Sequence, residues 1–498
     1  MEEHKAGAEE RERAEELRER FHVGAPIDPQ RLEDERKTLE ELNRKPFLKR
    51  VTGFSKFTGP GFIQSAVTLG AGSAGSCLIA GSQFGYRLLW VGPLTMILGL
   101  FMFFAIARQA VAVRRRPYEA MQNELHYAFA LLFGLSALLA SVLWHFPQYS
   151  LAGDVANNLA GLVTGTSRPI PPWILGPVFL AFAIFVTWNY GKGLKGIRVY
   201  EKTLKLLVWL IVVAFALVVL KTGVNWKEFF SGFVPRLPKL PDGSFDRQQA
   251  NLMIAILGAT IGVNMVFLYP YSVMARGWGK EHNRLAYFDL VTGMAIPFVL
   301  ATGLVIMATS STLHEQGVVT RSAVEAARVL APVVGPVFGR LIFGLGMLAI
   351  ALTTITVHML MCAFIISEIF HVDPTGWRYR LLVLTPAIGV YGVALDKLPY
   401  EVGVFASSVC VIFLPMAYIC FMVLHNKRRY MGEAMPGRGK RIFWNAGMVL
   451  AIAVVTAFAV VKLSMMYGDV KKRLSTPEPK PVAQVEHLRL ARPPSPVK

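Results

Sequence analysis

Two apolar stretches carry glycine where an uninterrupted helix would not favour it. They are Leu69-Gly70-Ala71-Gly72-Ser73-Ala74-Gly75-Ser76 and Leu257-Gly258-Ala259-Thr260-Ile261-Gly262-Val263-Asn264. Each Gly inside a helix costs up to ~1 kcal/mol relative to Ala. Taken singly, either stretch has two readings: close helix packing through small residues, or a helix unwound part-way across a membrane. Their positions favour the second. One lies in apolar segment 1 and the other in segment 6, so ten segments divide into five plus five. Paired glycine-interrupted spans at corresponding positions point to a binding site near the bilayer midplane. Unwound backbone there exposes N–H and C=O groups that need partners.

The segments are counted outward from these two. A bilayer core takes roughly 20 apolar residues per helix. Eleven stretches qualify, near 57–86, 88–107, 125–153, 169–191, 203–221, 248–275, 286–313, 329–367, 380–396, 402–425 and 442–467. Lys205 and Lys221 bound the fifth, where long side chains can snorkel to the interfaces, and Arg340 interrupts the eighth. The composition agrees. Of 498 residues, 53% are hydrophobic and 17% charged, with mean hydropathy +0.43, against roughly a quarter charged in soluble chains. Soluble enzymes, disordered chains and disulfide scaffolds are excluded. Cys77, Cys362, Cys410 and Cys420 lie in apolar stretches without a CxxC pair, so they read as core side chains.

The formal charge of +19 would suggest nucleic acid in a soluble protein. Here it has another source. Residues 1–50 hold 14 acidic and 12 basic residues, including the run Glu9 to Arg20, leaving 40 basic and 19 acidic residues in the rest. The basic residues cluster in alternate loops: Arg114 to Arg116, Lys192 to Arg198, Arg276 to Arg284, and Lys427 to Arg441. That is a positive-inside pattern, and it excludes nucleic acid as the partner. It places the N-terminus in the cytoplasm and, with eleven crossings, the C-terminus outside, in the cell (inner) membrane. The expected organisation is a charged cytoplasmic segment at 1–56, a transmembrane core at 57–467 and a Pro-rich disordered tail at 468–498.

Several stretches resemble the Nramp family of proton-coupled divalent-metal transporters. They are Gly59-Pro60-Gly61-Phe62-Ile63, Ala80-Gly81-Ser82-Gln83-Phe84-Gly85-Tyr86, Asn189-Tyr190-Gly191, Gly232-Phe233-Val234-Pro235 and Gly258-Ala259-Thr260. The resemblance implies an all-α integral membrane protein of about eleven helices. Its fold would be LeuT-type, with two inverted five-helix repeats and broken helices 1 and 6. It also implies metal transport, but the family's ligands do not carry over. The Asp-Pro-Gly-Asn motif of the first helix falls on Gly70, Ala71, Gly72 and Ser73. In the sixth helix the ligating Ala carbonyl falls on Ala259, the Met on Gly262, and the following Pro-His on Val263 and Asn264. A second His becomes Tyr269. The acidic pair of the third helix falls near Ser150 and Gly153, beside Asp154, and the Arg of helix nine on Leu384.

A divalent ion needs hard anionic or soft sulfur ligands in place of its water, and an unneutralised 2+ charge at the midplane is heavily disfavoured. Backbone carbonyls and one hydroxyl do not supply that. Gly-rich unwound backbone at a helix N-terminus suits an anionic group instead. The expected substrate-site residues are Thr68, Gly70, Gly72, Ser73, Ala259, Gly262 and Asn264, with Ser76 and Tyr271 as further hydrogen-bonding groups. Candidates for proton or ion coupling are Asp154, His145 and His358, since an ionisable residue within a span is a functional candidate and His titrates near neutrality. No metal ligands, cofactor or catalytic residues are expected, and no nucleotide motif supports an ATP-driven pump. The resulting expectation is a secondary transporter with an atypical substrate: a metal ion by family, a small anionic or zwitterionic solute by residues. A non-transporting receptor or scaffold of the same fold is the remaining reading.

Overall fold

The structure is a computed structural model. It describes residues 29–475 except Ser167, 321–324, 328–330, 332–334, 336, 373–375 and 396–398. The run Glu9 to Arg20 and residues 476–498 of the Pro-rich tail lie outside the described residues. Among the described residues nine helices are long and apolar enough to cross a bilayer. The pair Pro60–Thr68 and Ala71–Leu88, bent by 50°, makes a tenth.

The spans follow the expected order. After the bent first span come Val91–Val113, Tyr127–Thr164, Pro172–Tyr190, Leu194–Thr222, Arg247–Ala275, Lys280–His314, Gly339–Phe370, Gly403–Asn426 and Arg438–Lys471. Burial ranks them. The most apolar window of the sixth span is 100% buried and that of the eighth 89%, whereas that of the last is 28%. The sixth and eighth therefore form the centre, and the last helix is peripheral. It continues to Ser475, so the boundary at 467 falls inside a helix.

The ninth expected segment, 380–396, departs from expectation. It folds as a short α-helix, Gly376–Leu382, and a 3-10 helix, Thr385–Ala394. The reason is close approach. A Cβ at Gly389 would lie 2.8 Å from the His145 side chain, and one at Gly392 would lie 2.1 Å from the Phe146 carbonyl. The segment is pressed onto the third span, and Pro386 adds a second irregularity.

Part of the charged N-terminal segment packs on the core. Glu35, Leu39 and Leu42 recur at helical spacing along Pro29–Arg44 and are all buried. A second, short helix, Phe47–Phe54, leads to the first span.

Candidate functional site at the two helix breaks

Both breaks lie where the glycines predict. In the first span helical backbone stops at Leu69 (φ −90°, ψ 55°) and resumes after extended Gly70 (φ −98°, ψ −179°). In the sixth, Arg247–Thr260 and Val263–Ala275 are separated by extended Ile261 (φ −145°, ψ 111°) and Gly262 (φ −101°, ψ 157°).

Unwinding strips helix ends of their partners, and three other spans supply replacements in the first span. At its start, the Asp289 carboxylate accepts from Gly59 N at 2.9 Å and Gly61 N at 2.6 Å, a favourable place for a negative charge. At the break, the Thr354 hydroxyl donates to the Ala66 carbonyl at 2.7 Å, taking the place of a lost helical N–H. Beyond it, Ala71 N donates to Gln148 Oε1 at 2.9 Å. Asp289, Thr354 and Gln148 belong to the seventh, eighth and third spans. None was singled out from sequence as part of the site. The signal for Gln148 was an uncharged amide inside an apolar span, where an unpaired polar group is costly.

The sixth-span break is held locally. Its last helical hydrogen bond runs from Ile261 N to Leu257 O, which places the carbonyls of Gly258, Ala259 and Thr260 beyond the ladder. Met265 N donates to Asn264 Oδ1 at 3.0 Å, and Asn264 Nδ2 lies 3.5 Å from Ser141 Oγ. Gly262 N approaches Met265 Sδ at 3.4 Å. A thioether is thus present at this break.

The other expected residues divide. Ser73 Oγ donates to the Gly70 carbonyl at 3.0 Å, and Thr68 Oγ1 to Ser65 O at 2.9 Å. Both are committed to backbone, and Ser76 is buried on the same helix. Gly72 lies in the first turn of the helix Ala71–Phe84; its role is packing. A Cβ there would lie 2.2 Å from both the Trp144 ring and Ser407 Oγ. Tyr271 lies away from the breaks, its hydroxyl accepting from Tyr118 N at 3.2 Å. Tyr269 is buried against Phe103, ring centroids 5.5 Å apart.

His145 and His358 do come together. Their rings are 6.1 Å apart, and His358 lies 6.4 Å from Trp144. His145 Nδ1 is bonded to the Pro386 carbonyl, and Nε2 lies 3.3 Å from the Ile355 carbonyl. Asp154 does not join them. It is partly exposed and pairs with Arg168 at 3.5 Å, because the third helix runs on to Thr164 and carries Asp154 toward solvent. Near the positions to which the resemblance assigned the acidic pair, Ser150 donates to the Leu395 carbonyl and Gly153 packs on Val393. Leu384 leads into the 3-10 helix of the ninth segment.

One cluster of buried charges lies around the start of the first span. Arg276 pairs with Glu201 at 3.0 Å, donates to the Phe57 carbonyl at 3.0 Å and lies 3.8 Å from Glu35. Glu35 also pairs with Arg198 at 3.0 Å. Glu201 escaped the sequence reading because the fifth helix begins at Leu194, well before the apolar run at 203. The breaks themselves are sealed: Thr68, Ser73, Gln148, Asn264 and Thr354 are all buried. The cavity touching Ile261 has a volume of about 10 Å³, the lower limit for one water. Among the described residues no group of three or more His, Cys, Asp or Glu is placed to hold a metal ion.

Comparison with known proteins places this architecture. The model of the family described as natural resistance-associated macrophage protein-like, Nramp, matches residues 61–463. The divalent metal cation transporter MntH of Caldanaerobacter subterraneus is 24% identical over 431 residues, covering 84% of this chain and 95% of that protein. MntH of Agrobacterium fabrum is 23% identical over 422 residues, covering 82% and 87%. Among solved structures, the manganese transporter of Eremococcus coleocola superposes with a TM-score of 0.64 at 16% identity, covering 91% of this chain and 92% of that one. The all-helical membrane architecture of this chain, with both breaks buried, has the LeuT-type fold. The chain belongs to the Nramp family.

Proposed function

We propose that this chain is an Nramp-type secondary transporter whose midplane site has exchanged metal ligands for neutral hydrogen-bonding groups. Its cargo is then a small anionic or zwitterionic solute. The observation that carries this is Gln148 Oε1 on Ala71 N, 2.9 Å away. A neutral acceptor stands at the N-terminus of the second half-helix, where a substrate carboxylate would be received. Gly70, Ser73, Ala259, Gly262 and Asn264 surround this point in the proposal, with His145 and His358 as the proton-exchanging pair. The carboxylate that would neutralise a divalent ion is missing at Gly70. The N-terminus faces the cytoplasm, as the basic loops require.

The kinship to divalent metal transporters favours a second reading, in which an ion crosses with part of its water shell retained. A thermal-shift screen of the purified protein separates the two, because a ligand of the folded state raises the melting temperature by mass action. Carboxylate-bearing solutes are expected to raise it and manganese or magnesium to leave it unchanged. A shift with the metals alone would favour the ion reading. Flux into proteoliposomes then tests transport itself, and its absence for every stabilising solute would point to a scaffold.

A further inference from the structure

A cavity of about 420 Å³ opens between the short helix Phe47–Phe54 and the start of the seventh span. Its lining includes Phe47, Arg50, Phe54, Arg284, Tyr287 and Phe288. Its floor is aromatic and braced from behind. Phe54 meets Phe288 edge-on at 5.6 Å, and Tyr287 packs on Phe104 at 4.9 Å and on Trp444 at 6.2 Å. Its rim is basic. Arg50 lies 5.9 Å from the Phe47 ring centroid, and neither Arg50 nor Arg284 is in an ion pair with any described residue.

The helix is built for an interface. Phe54 is buried, whereas Phe47 is 69% exposed and Leu48 76%. Two adjacent apolar side chains directed outward, flanked by Lys49 and Arg50, suit the boundary between headgroups and acyl chains. The position agrees, since the first membrane span begins at Pro60, shortly after this helix ends.

We propose that this cavity is a binding site for an anionic phospholipid. The guanidinium groups of Arg50 and Arg284 receive the phosphate diester, and Phe47 and Phe288 receive the glycerol and the first acyl carbons. Arginine is suited to a phosphate through its planar fork of donors, and basic residues at the membrane surface attract anionic lipid. The exposed Phe47 and Leu48 select a lipid over free phosphate, because an inorganic ion gives apolar side chains nothing to cover.

The test uses the full chain in detergent, with phosphatidylglycerol, phosphatidylcholine or inorganic phosphate added and lipid retention read by native mass spectrometry beside the melting temperature. Phosphatidylglycerol is expected to be retained and to raise the melting temperature, while the other two are not. Arg50→Gln with Arg284→Gln should weaken retention at least tenfold. Arg50→Lys with Arg284→Lys should keep part of it, showing that the pair is needed for its charge and not for folding. A control pair on another basic loop, Arg438→Gln with Arg441→Gln, should leave retention unchanged. Equal retention by the glutamine variant, equal loss in the control pair, or an equal shift with inorganic phosphate would each overturn the assignment.

Discussion

Arg276→Ala is expected to destabilise the folded chain by about 3–5 kcal/mol, the range for breaking a buried ion pair from one side. Arg276 is 4% exposed and so is its partner Glu201. Truncation leaves the Glu201 carboxylate without its closest cation, and Glu35 keeps its pairing with Arg198. The Phe57 carbonyl also loses its donor, just ahead of the first half-helix. Coulomb attraction alone would overstate the effect, since both charges lose water when buried. The uncompensated carboxylate decides the sign. Replacing both partners, Arg276→Met with Glu201→Met, should therefore recover much of the loss. Thermal melting of the two variants checks this. A single variant as stable as the parent, or a double variant less stable than the single, would contradict it.

Gly72→Ala is the second large effect, at about 1–3 kcal/mol of destabilisation. Two terms oppose each other. In regular helix Ala is preferred to Gly by up to ~1 kcal/mol, and Gly72 is in regular helix. Against that, the new methyl group would lie 2.2 Å from both Trp144 and Ser407. Neither neighbour is the free end of a long flexible side chain, and Gly72 backbone is also close-packed on Gly403, where a Cβ would lie 3.2 Å from it. The clash exceeds the propensity gain, so melting temperature should fall. A stabilised variant would show that the first span, the third span and the span Gly403–Asn426 do not meet this closely.

The two breaks were legible in the sequence because glycine placement is local information. Gly70 and Gly262 mark the unwound positions themselves. What closes the breaks was not legible. Thr354 and Gln148 reach the first span from 288 and 77 residues away, and nothing local in either stretch announces which polar side chain will arrive there. Depth misled the reading of Asp154, which ends near solvent because its helix overshoots the apolar run. The reverse error hid Glu201, placed outside the membrane core by hydropathy yet buried by the packing of the N-terminal helix and Arg276. Gly72 shows a subtler limit. Sequence alone supports either unusual backbone or close contact for a glycine, and only the packed neighbours identify it as contact. The ninth segment was apolar enough to suggest a helix, but contact with the third span imposes a tighter geometry.

The loss of metal ligands is the claim on which the proposed cargo rests. Among the described residues the breaks present backbone carbonyls, hydroxyls, two amides and the Met265 thioether, with no carboxylate at Gly70. A thioether without an anion leaves the charge of a divalent ion uncompensated in a low-dielectric site. Calorimetric titration of manganese into the purified chain at neutral pH tests this most directly. Gly70→Asp serves as the companion variant, because a Cβ at Gly70, 3.1 Å from Gln148 and 3.3 Å from Thr354, requires its neighbours to give by only a few tenths of an ångström. The account predicts no saturable heat for the parent chain. Saturable micromolar binding by the parent, abolished by substitutions at Asn264 and Met265, would contradict it.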